Sequence, residues 1–482
     1  MATTPSSSAV DGSSGTSPHP HHLAEQLPPI QFESAPSENT MADDSSQPTA
    51  EKGSSHAGDG ELSAGDVEKG QAAAPAPAQH DFPDGGLRAW SVVAGAWCIS
   101  FTSWGFTNAF GVFQTYYQDN QLAEYTHSDI SWIGSLELCL VLSSAILAGK
   151  AFDAGGIKYL LCASLCIYTA GMFGFASATK YYQIILGQGF ACGLASGIAF
   201  IPAASSVSHW FKYKRATALG FLATGSSFGG IIYPAMLNHL FPRIGFKNTV
   251  RAAAGLTIGL VAIAALTVNS RLPPRKVKMH QIFDFSPLKE KAFLLFVLGE
   301  TIIMLGLYMP YFYIQDYALA NNVPKNVVDY SLSILNAASI FGRVIPNWLA
   351  DTYGPLTILT PQCVLSGILI FIFLPACKTL AGLIVFCILF GFSSGAYVSM
   401  MPASVASQTK DMTQVGHRTA VMFLVISVAG LTGTPITGAI ITSQNGSYVG
   451  ACVFAGVCVL VGSCFVAASW WVNSRQRGTY WV

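Results

Sequence analysis

The chain has 482 residues, of which 51% are hydrophobic and only 10% charged, with 25 basic side chains balanced by 25 acidic ones. A soluble globular protein carries about a quarter charged residues, so the composition argues against an ordinary soluble protein and for a membrane protein. The 11 cysteines all fall inside apolar runs and form no CxxC pair. Neither a zinc site nor a disulfide framework is therefore suggested, and they read as small hydrophobic side chains.

Residues 1–80 are rich in Ser, Pro, Ala and Gly and hold 11 acidic residues against two basic ones, Lys52 and Lys69. A segment this poor in apolar groups cannot offset its ordering entropy, so a disordered acidic cytoplasmic tail is expected. It lacks the basic start and short apolar core of a signal peptide. A phosphorylation or trafficking platform is the sharper reading of the same residues.

From Trp90 onward, twelve apolar runs are long enough to cross a bilayer, which takes about 20 helical residues. They centre on residues 90–115, 129–150, 158–177, 181–205, 216–238, 250–269, 291–315, 330–350, 356–375, 380–405, 417–441 and 448–472. With the N-terminus inside, the cytoplasmic segments hold 16 Lys and Arg against six in the outer loops, where Arg243, Lys247 and Arg251 form a local cluster. That excess predicts cytoplasmic N- and C-termini. The basic linker 271–288 separates a six-helix half at 81–270 from another at 289–473, followed by a short cytoplasmic C-terminus at 474–482. "DAGG" (153–156) and "DTYG" (351–354) stand 198 residues apart, as do "GLASG" (193–197) and "GFSSG" (391–395). The fold class that follows is an all-α membrane protein of two parallel six-helix repeats with its site between them.

These motifs resemble the major facilitator superfamily. "GKAFDAGGIK" (149–158) is similar to its loop between the second and third helices, and "LADTYG" is the second-half counterpart. The resemblance implies that Asp153, Lys158 and Asp351 serve the gate that stabilises the outward-open state. "GQGFACGLASG" (187–197) and "GSSFGG" (225–230) space Gly so that helices approach closely. Within the superfamily, "PDGGLRAW" (83–90), "HWFKYKRATALGFLATGSSFGG" (209–230) and "GRVIPNWLAD" (342–351) resemble the monocarboxylate transporter family, in its fungal branch.

Arg343 lies in the apolar stretch "LNAASIFGRVIPNWLA" (335–350), a little past the midplane. A charge there costs about 2.5–3.5 kcal/mol on insertion scales and marks function. Its planar fork suits two-point contact with a carboxylate. The resemblance implies that Arg343 holds the substrate carboxylate; the alternative is a side chain that snorkels toward the cytoplasm as part of the gate. Proton-coupled relatives carry an Asp four residues earlier, where this chain has Ser339, and a Lys late in the first helix, where "NAFGVFQ" (108–114) has none. Glu300 and Glu137 are the intramembrane carboxylates that could carry a proton instead, since burial raises a carboxyl toward neutrality. Glu300 could alternatively pair with Arg343.

Asn108, Tyr233, Tyr308, Tyr311 and Tyr397 are candidates for lining the cavity, and Pro310 is expected to kink its helix. Trp90, Trp97 and Trp104 recur at steps of seven and read as a packing or lipid-facing stripe. No nucleotide loop and no histidine cluster of metal spacing occurs, so no enzyme, cofactor or metal is expected. The expected activity is secondary transport of a small organic anion by a monomer in the lipid bilayer, with protons as candidate co-substrate and no nucleic-acid partner. Export of a secondary metabolite, facilitated movement of a vitamin-like aromatic solute, and a transport-dead nutrient sensor are the competing readings. The plasma membrane is the expected location and the vacuolar membrane the alternative.

Overall fold

A computed structural model describes residues 84–211, 214–271, 284–409 and 414–481, with 215 and 216 by their backbone alone. The acidic tail and most of the basic linker lie outside the described residues. Every regular element among the described residues is helical. A backbone in lipid has no water to bond with, so each crossing segment must satisfy its own polar groups, and a helix does this within one segment.

Twelve rods result. α1 comprises three segments, Leu87–Thr102, Trp104–Asn108 and Phe110–Asp119. α2 is His127–Asp153, α3 Ile157–Ala176 and α4 Tyr181–Ser208. α5 and α6 share the continuous stretch Arg215–Thr267 and part at Gly245, whose φ of 72° leaves the helical region. α7 is Lys291–Ala320, α8 Ser331–Tyr353, α9 Pro355–Ala376, α10 Leu380–Ser407, α11 Val415–Ser443 and α12 Val449–Arg477. The connection at 239–249, expected as a loop, is almost wholly helical. One glycine suffices to turn the chain, because without a Cβ it adopts positive φ at little steric cost.

Lipid tails are as apolar as Leu, so helices associate through close backbone approach and polar contacts. Glycine supplies the approach. A Cβ on Gly105 of α1 would meet Gly229 Cα of α5 at 2.5 Å, and one on Gly299 of α7 would meet the Gly462 carbonyl of α12 at 2.8 Å. In α8 and α10, Gly342 faces the Phe392 carbonyl and Gly391 the Leu335 carbonyl, at 2.0 and 2.1 Å from such a Cβ. The Trp stripe of α1 is a helix-packing face: Trp97 Nε1 donates to Thr224 of α5 at 3.1 Å, and Trp104 packs edge-on against Phe200 of α4.

The end of the bundle that carries residues 84 and 477 is closed by hydrogen bonds within each half. Asp84 N donates to the Trp210 carbonyl at 3.2 Å, and Asp84 Oδ1 accepts from Lys214 N at 3.3 Å. Trp210 Nε1 in turn donates to the Asn269 carbonyl at 2.9 Å, and the Arg88 and Arg271 guanidinium groups lie over its ring. In the second half the Asp284 carbonyl is bonded to His417 Nε2 at 2.8 Å, while Gln408, 198 residues after Trp210, accepts from Asn473 at 3.2 Å. Trp210 and Gln408 occupy repeat-equivalent positions, yet each half closes this end with its own set of partners.

The two halves join along a polar seam that starts at the opposite, distal end. Ser128 Oγ donates to the Pro435 carbonyl at 3.0 Å, Ser135 bonds Thr434, and Ser131 bonds Tyr313. His127 Nδ1 stands 3.6 Å from Asp316 Oδ2, whose other neighbour is the Tyr448 hydroxyl. Along α5 and α8 the seam continues through Asn238 to the Asp329 carbonyl, Ser333 to the Ile231 carbonyl, and Ser227 to Ser339. It ends just past the middle of α8 at Arg343, and among the described residues no hydrogen bond joins the halves closer to the termini.

Gly438 of α11 sits tightly in the distal seam: an added Cβ would stand 2.7 Å from both Ser128 N and Tyr313 Oη. Gly438→Leu should leave helical content unchanged and wedge the distal ends apart. Pulsed electron paramagnetic resonance between spin labels at Glu124 and Asn445 reads this as a longer distance, and an unaltered distribution would refute the seam as the closing contact.

Candidate functional site

Arg343 occupies the middle of α8, 8% exposed, and its partners come from the other half of the molecule. Its Nη1 donates to Ser226 Oγ at 2.6 Å and to the Ala223 carbonyl at 3.3 Å, both on α5. Its Nε is buried without a hydrogen-bond partner. A guanidinium has five donors in a fixed plane, so one corner is used by α5 and the edge formed by Nε and Nη2 remains for a ligand. The arrangement is not that of a snorkelling side chain, which would place its charge at the bundle end.

Tyr308 and Tyr311 of α7 lie within electrostatic reach of this guanidinium. Their rings stand 5.4 Å apart, and the Tyr311 hydroxyl bonds Ser394 of α10 at 3.1 Å. α7 breaks at Tyr308, two residues before Pro310, in the turn where the proline removes a donor and crowds the preceding carbonyl. Arg343, Tyr308 and Tyr311 thus form one cluster. Asn108 donates to Asn336 of α8 at 3.2 Å, seven residues before Arg343 and so about 10 Å along the helix. Tyr233 spends its hydroxyl on Thr257 of α6 at 2.6 Å and packs against Phe101 and Phe106. It belongs to the packing of the first six rods. Tyr397 donates to the Glu300 carbonyl at 3.4 Å, inside the second six.

The two carboxylates are fully buried in separate halves. Glu137 Oε1 accepts from Thr107 Oγ1 at 2.6 Å, and its Oε2 has no partner. Neither Glu300 oxygen has a close hydrogen-bond partner, although the Tyr397 hydroxyl is within interaction range of the carboxyl. The pairing of Glu300 with Arg343 weighed from the sequence is not formed: the ion pairs among the described residues are His127 with Asp316 and Arg418 with Glu290. Glu300 sits two turns before Tyr308 on α7, about 12 Å along the axis, and faces Tyr397 and Cys363 instead. Among the gate candidates, Asp153 and Asp351 are exposed at the terminal end. Lys158 Nζ donates to the Ala265 and Leu266 carbonyls at 2.5 and 3.3 Å, so it caps the last turn of α6 within its own half.

Three features of the site escaped the hydropathy pattern. Ser226 and Ser227 of "GSSFGG" read as spacers between glycines, yet they bond Arg343 and Ser339. α1 is broken beside Thr107, where Ser103 and Thr107 bond back to the Ile99 and Ser103 carbonyls and compete with the helical ladder. α4 contains the π-helix Ile185–Cys192, which carries Gln188 to the Tyr117 hydroxyl at 2.6 Å. Such bulges recur at functional sites, and here both irregular segments flank Glu137. Clustered Ser and Thr in the first helix and paired Gly at 187 and 189 were the available signals.

The family model for the Major Facilitator Superfamily matches residues 92–412. The chain is 40% identical over 76% of its length to "MFS-type transporter 1" of Ophiocordyceps sp., covering 82% of that protein. It is 34% identical to the aspyridones efflux protein apdF of Emericella nidulans, over 77% of this chain and 75% of the relative. It is 37% identical to the fujikurins efflux protein of Gibberella fujikuroi, over 80% and 83%. A peptide transporter, POT, solved in complex with sulfate superposes with a TM-score of 0.64 over 80% of this chain and 96% of its own, at 12% identity.

Removing the Thr107 hydroxyl would leave a second oxygen of Glu137 unpaired. An orphaned buried polar group costs about 1–3 kcal/mol. Thr107→Val should therefore lower the melting temperature of the detergent-solubilised protein, while Thr107→Ser should not; equal melting of all three would show that the bond contributes nothing.

Proposed function

The chain belongs to the major facilitator superfamily, and from that premise we propose that it exports an acidic secondary metabolite by alternating access between its two halves. It is a multi-pass membrane transporter and not an enzyme. The observation that carries the proposal is the guanidinium of Arg343, buried at the middle of the bundle with its Nε unspent and two tyrosines within electrostatic reach. A fixed planar donor edge recognises a planar anion such as a carboxylate. The neighbouring aromatic faces suit a ring-bearing body. Relatives named for efflux of aspyridones and fujikurins support the outward direction.

Termini in the cytoplasm make the distal seam, which is hydrogen-bonded across the halves, the outer gate. A closed outer gate is the arrangement from which an exporter takes up its cargo. Asp153 and Asp351, exposed at the terminal end, would serve the gate on that side. The plasma membrane is the site of action, and the chain works as a monomer.

Ser339 and Ser227 form a neutral pair at 2.8 Å one turn from Arg343. Neither ionises, so the arginine has no titrating partner there, and coupling to protons would rest on Glu300 or Glu137. Uptake of a small monocarboxylate is the second reading, favoured by the "PDGGLRAW" and "GRVIPNWLAD" signatures.

Reconstituted protein should show saturable transport of labelled salicylate, and Arg343→Ala should abolish it, with Arg343→Lys at about a tenth of the rate, since a point charge replaces the planar fork. Undiminished transport by Arg343→Ala would sink the assignment. Lactate or pyruvate carried in preference to the aromatic acid would replace export by monocarboxylate uptake.

If a proton moves with the cargo, Glu300→Gln or Glu137→Gln should abolish stimulation by a proton gradient while leaving gradient-free exchange of labelled for unlabelled salicylate intact. Retained stimulation in both variants would exclude these two carboxylates.

A further inference from the structure

"GSSFGG" serves more than close packing. Its glycines face other rods: Gly225 faces the Trp97 carbonyl, Gly229 the Phe101 carbonyl, and Gly230 the Asn336 side chain of α8. Those contacts press α5 against α1 and α8 and set Ser226, 1% exposed, at the end of the cross-half seam. The Ser226 hydroxyl donates to the Ala223 carbonyl at 2.8 Å, which leaves its lone pairs to accept from Arg343 Nη1. The same Ala223 carbonyl also accepts from Nη1. One corner of the guanidinium is thereby held from the first half, and its plane is set by partners outside its own helix.

We infer that Ser226 is a positioning residue that aims the Nε–Nη2 edge of Arg343 and makes its grip on an organic anion depend on conformational state. The inference rests on the anion-site reading above for its ligand, and on the hydrogen bonds alone for its geometry. Arg343 rides on α8 and Ser226 on α5, so the bond exists only while the seam between these rods is closed. When the distal ends separate, Arg343 loses its anchor, and the edge that held the anion is free to rotate. A ligand shifts a conformational equilibrium by its differential binding alone, so a state-dependent grip decides which state the loaded carrier favours, while the driving gradient sets the net direction. A fixed fork binds a planar anion at two points and a rotating one does not, so the closed-seam state binds tightly and the opened state releases.

The full-length protein in proteoliposomes tests this through the chemistry of Arg343 itself. Phenylglyoxal adds to the two terminal nitrogens of a guanidinium, and mass spectrometry of the Arg343 peptide gives the rate. Ser226→Ala should label at least about threefold faster than wild type, because Nη1 is released from its strongest partner, while Ser226→Thr keeps the oxygen and should label at the wild-type rate. Equal rates in wild type and Ser226→Ala would overturn the inference.

With salicylate as probe, Ser226→Ala should raise the KM on the terminal side about tenfold, leave the maximal rate and the distal-side affinity unchanged, and be rescued by Ser226→Thr. A fall in maximal rate with KM unchanged would mean a structural role and would also overturn it. If wild type carries no salicylate, the organic-anion reading falls, and the labelling rates still decide whether Ser226 fixes Arg343.

Discussion

A guanidinium at the centre of an apolar bundle must be solvated by the bundle itself. Water is absent from the hydrocarbon region, and a buried charge without hydrogen bonds is far more costly than one that is paired. Arg343 meets this demand across the molecule rather than within its own helix, through Ser226 and Ala223 of α5. Anchoring the charge and joining the halves are one interaction. The glycines of α5 make it possible, since any side chain at Gly229 or Gly230 would separate the rods that bring these groups together.

The same constraint orders the rest of the seam. Ser227 with Ser339, Asn108 with Asn336 and Ser135 with Thr434 are neutral pairs, each satisfying two polar groups that lipid could not. Neutral pairs between small side chains lose little when they part, because neither partner is left with a full charge in a low dielectric. A seam that must open and close repeatedly is well served by such contacts. The titratable pair of the seam, His127 with Asp316, lies at the distal rim, where both side chains keep some exposure and can be hydrated when separated.

Glu137 and Glu300 obey the opposite rule. Both are sealed inside a single half and keep at least one oxygen unpartnered, so they contribute little to holding the halves together. The structural irregularity is concentrated around Glu137, with a broken α1 on one side and a π-helix in α4 on the other. Residues that strain the helical ladder in this way persist where the surrounding packing over-determines them. The site candidates therefore divide into a cross-half cluster at Arg343 and two half-internal carboxylates, a division that residue type alone did not show.

Hydropathy, glycine spacing and loop charge are local properties, and they sufficed for the twelve crossings, the six-and-six repeat and the singling out of Arg343 as an anomalous charge. A run of about 20 apolar residues has one stable form in lipid whatever its neighbours are, so those features needed no knowledge of packing. Partners are not local. Ser226 and Arg343 are 117 positions apart, and nothing in either segment names the other. The separation of Glu300 from Arg343, the turning of Tyr233 into its own half, and the bonding of Lys158 to the end of α6 follow from the rotation of each rod about its axis. That rotation is set by where glycines let backbones touch, and the tertiary structure alone decided it.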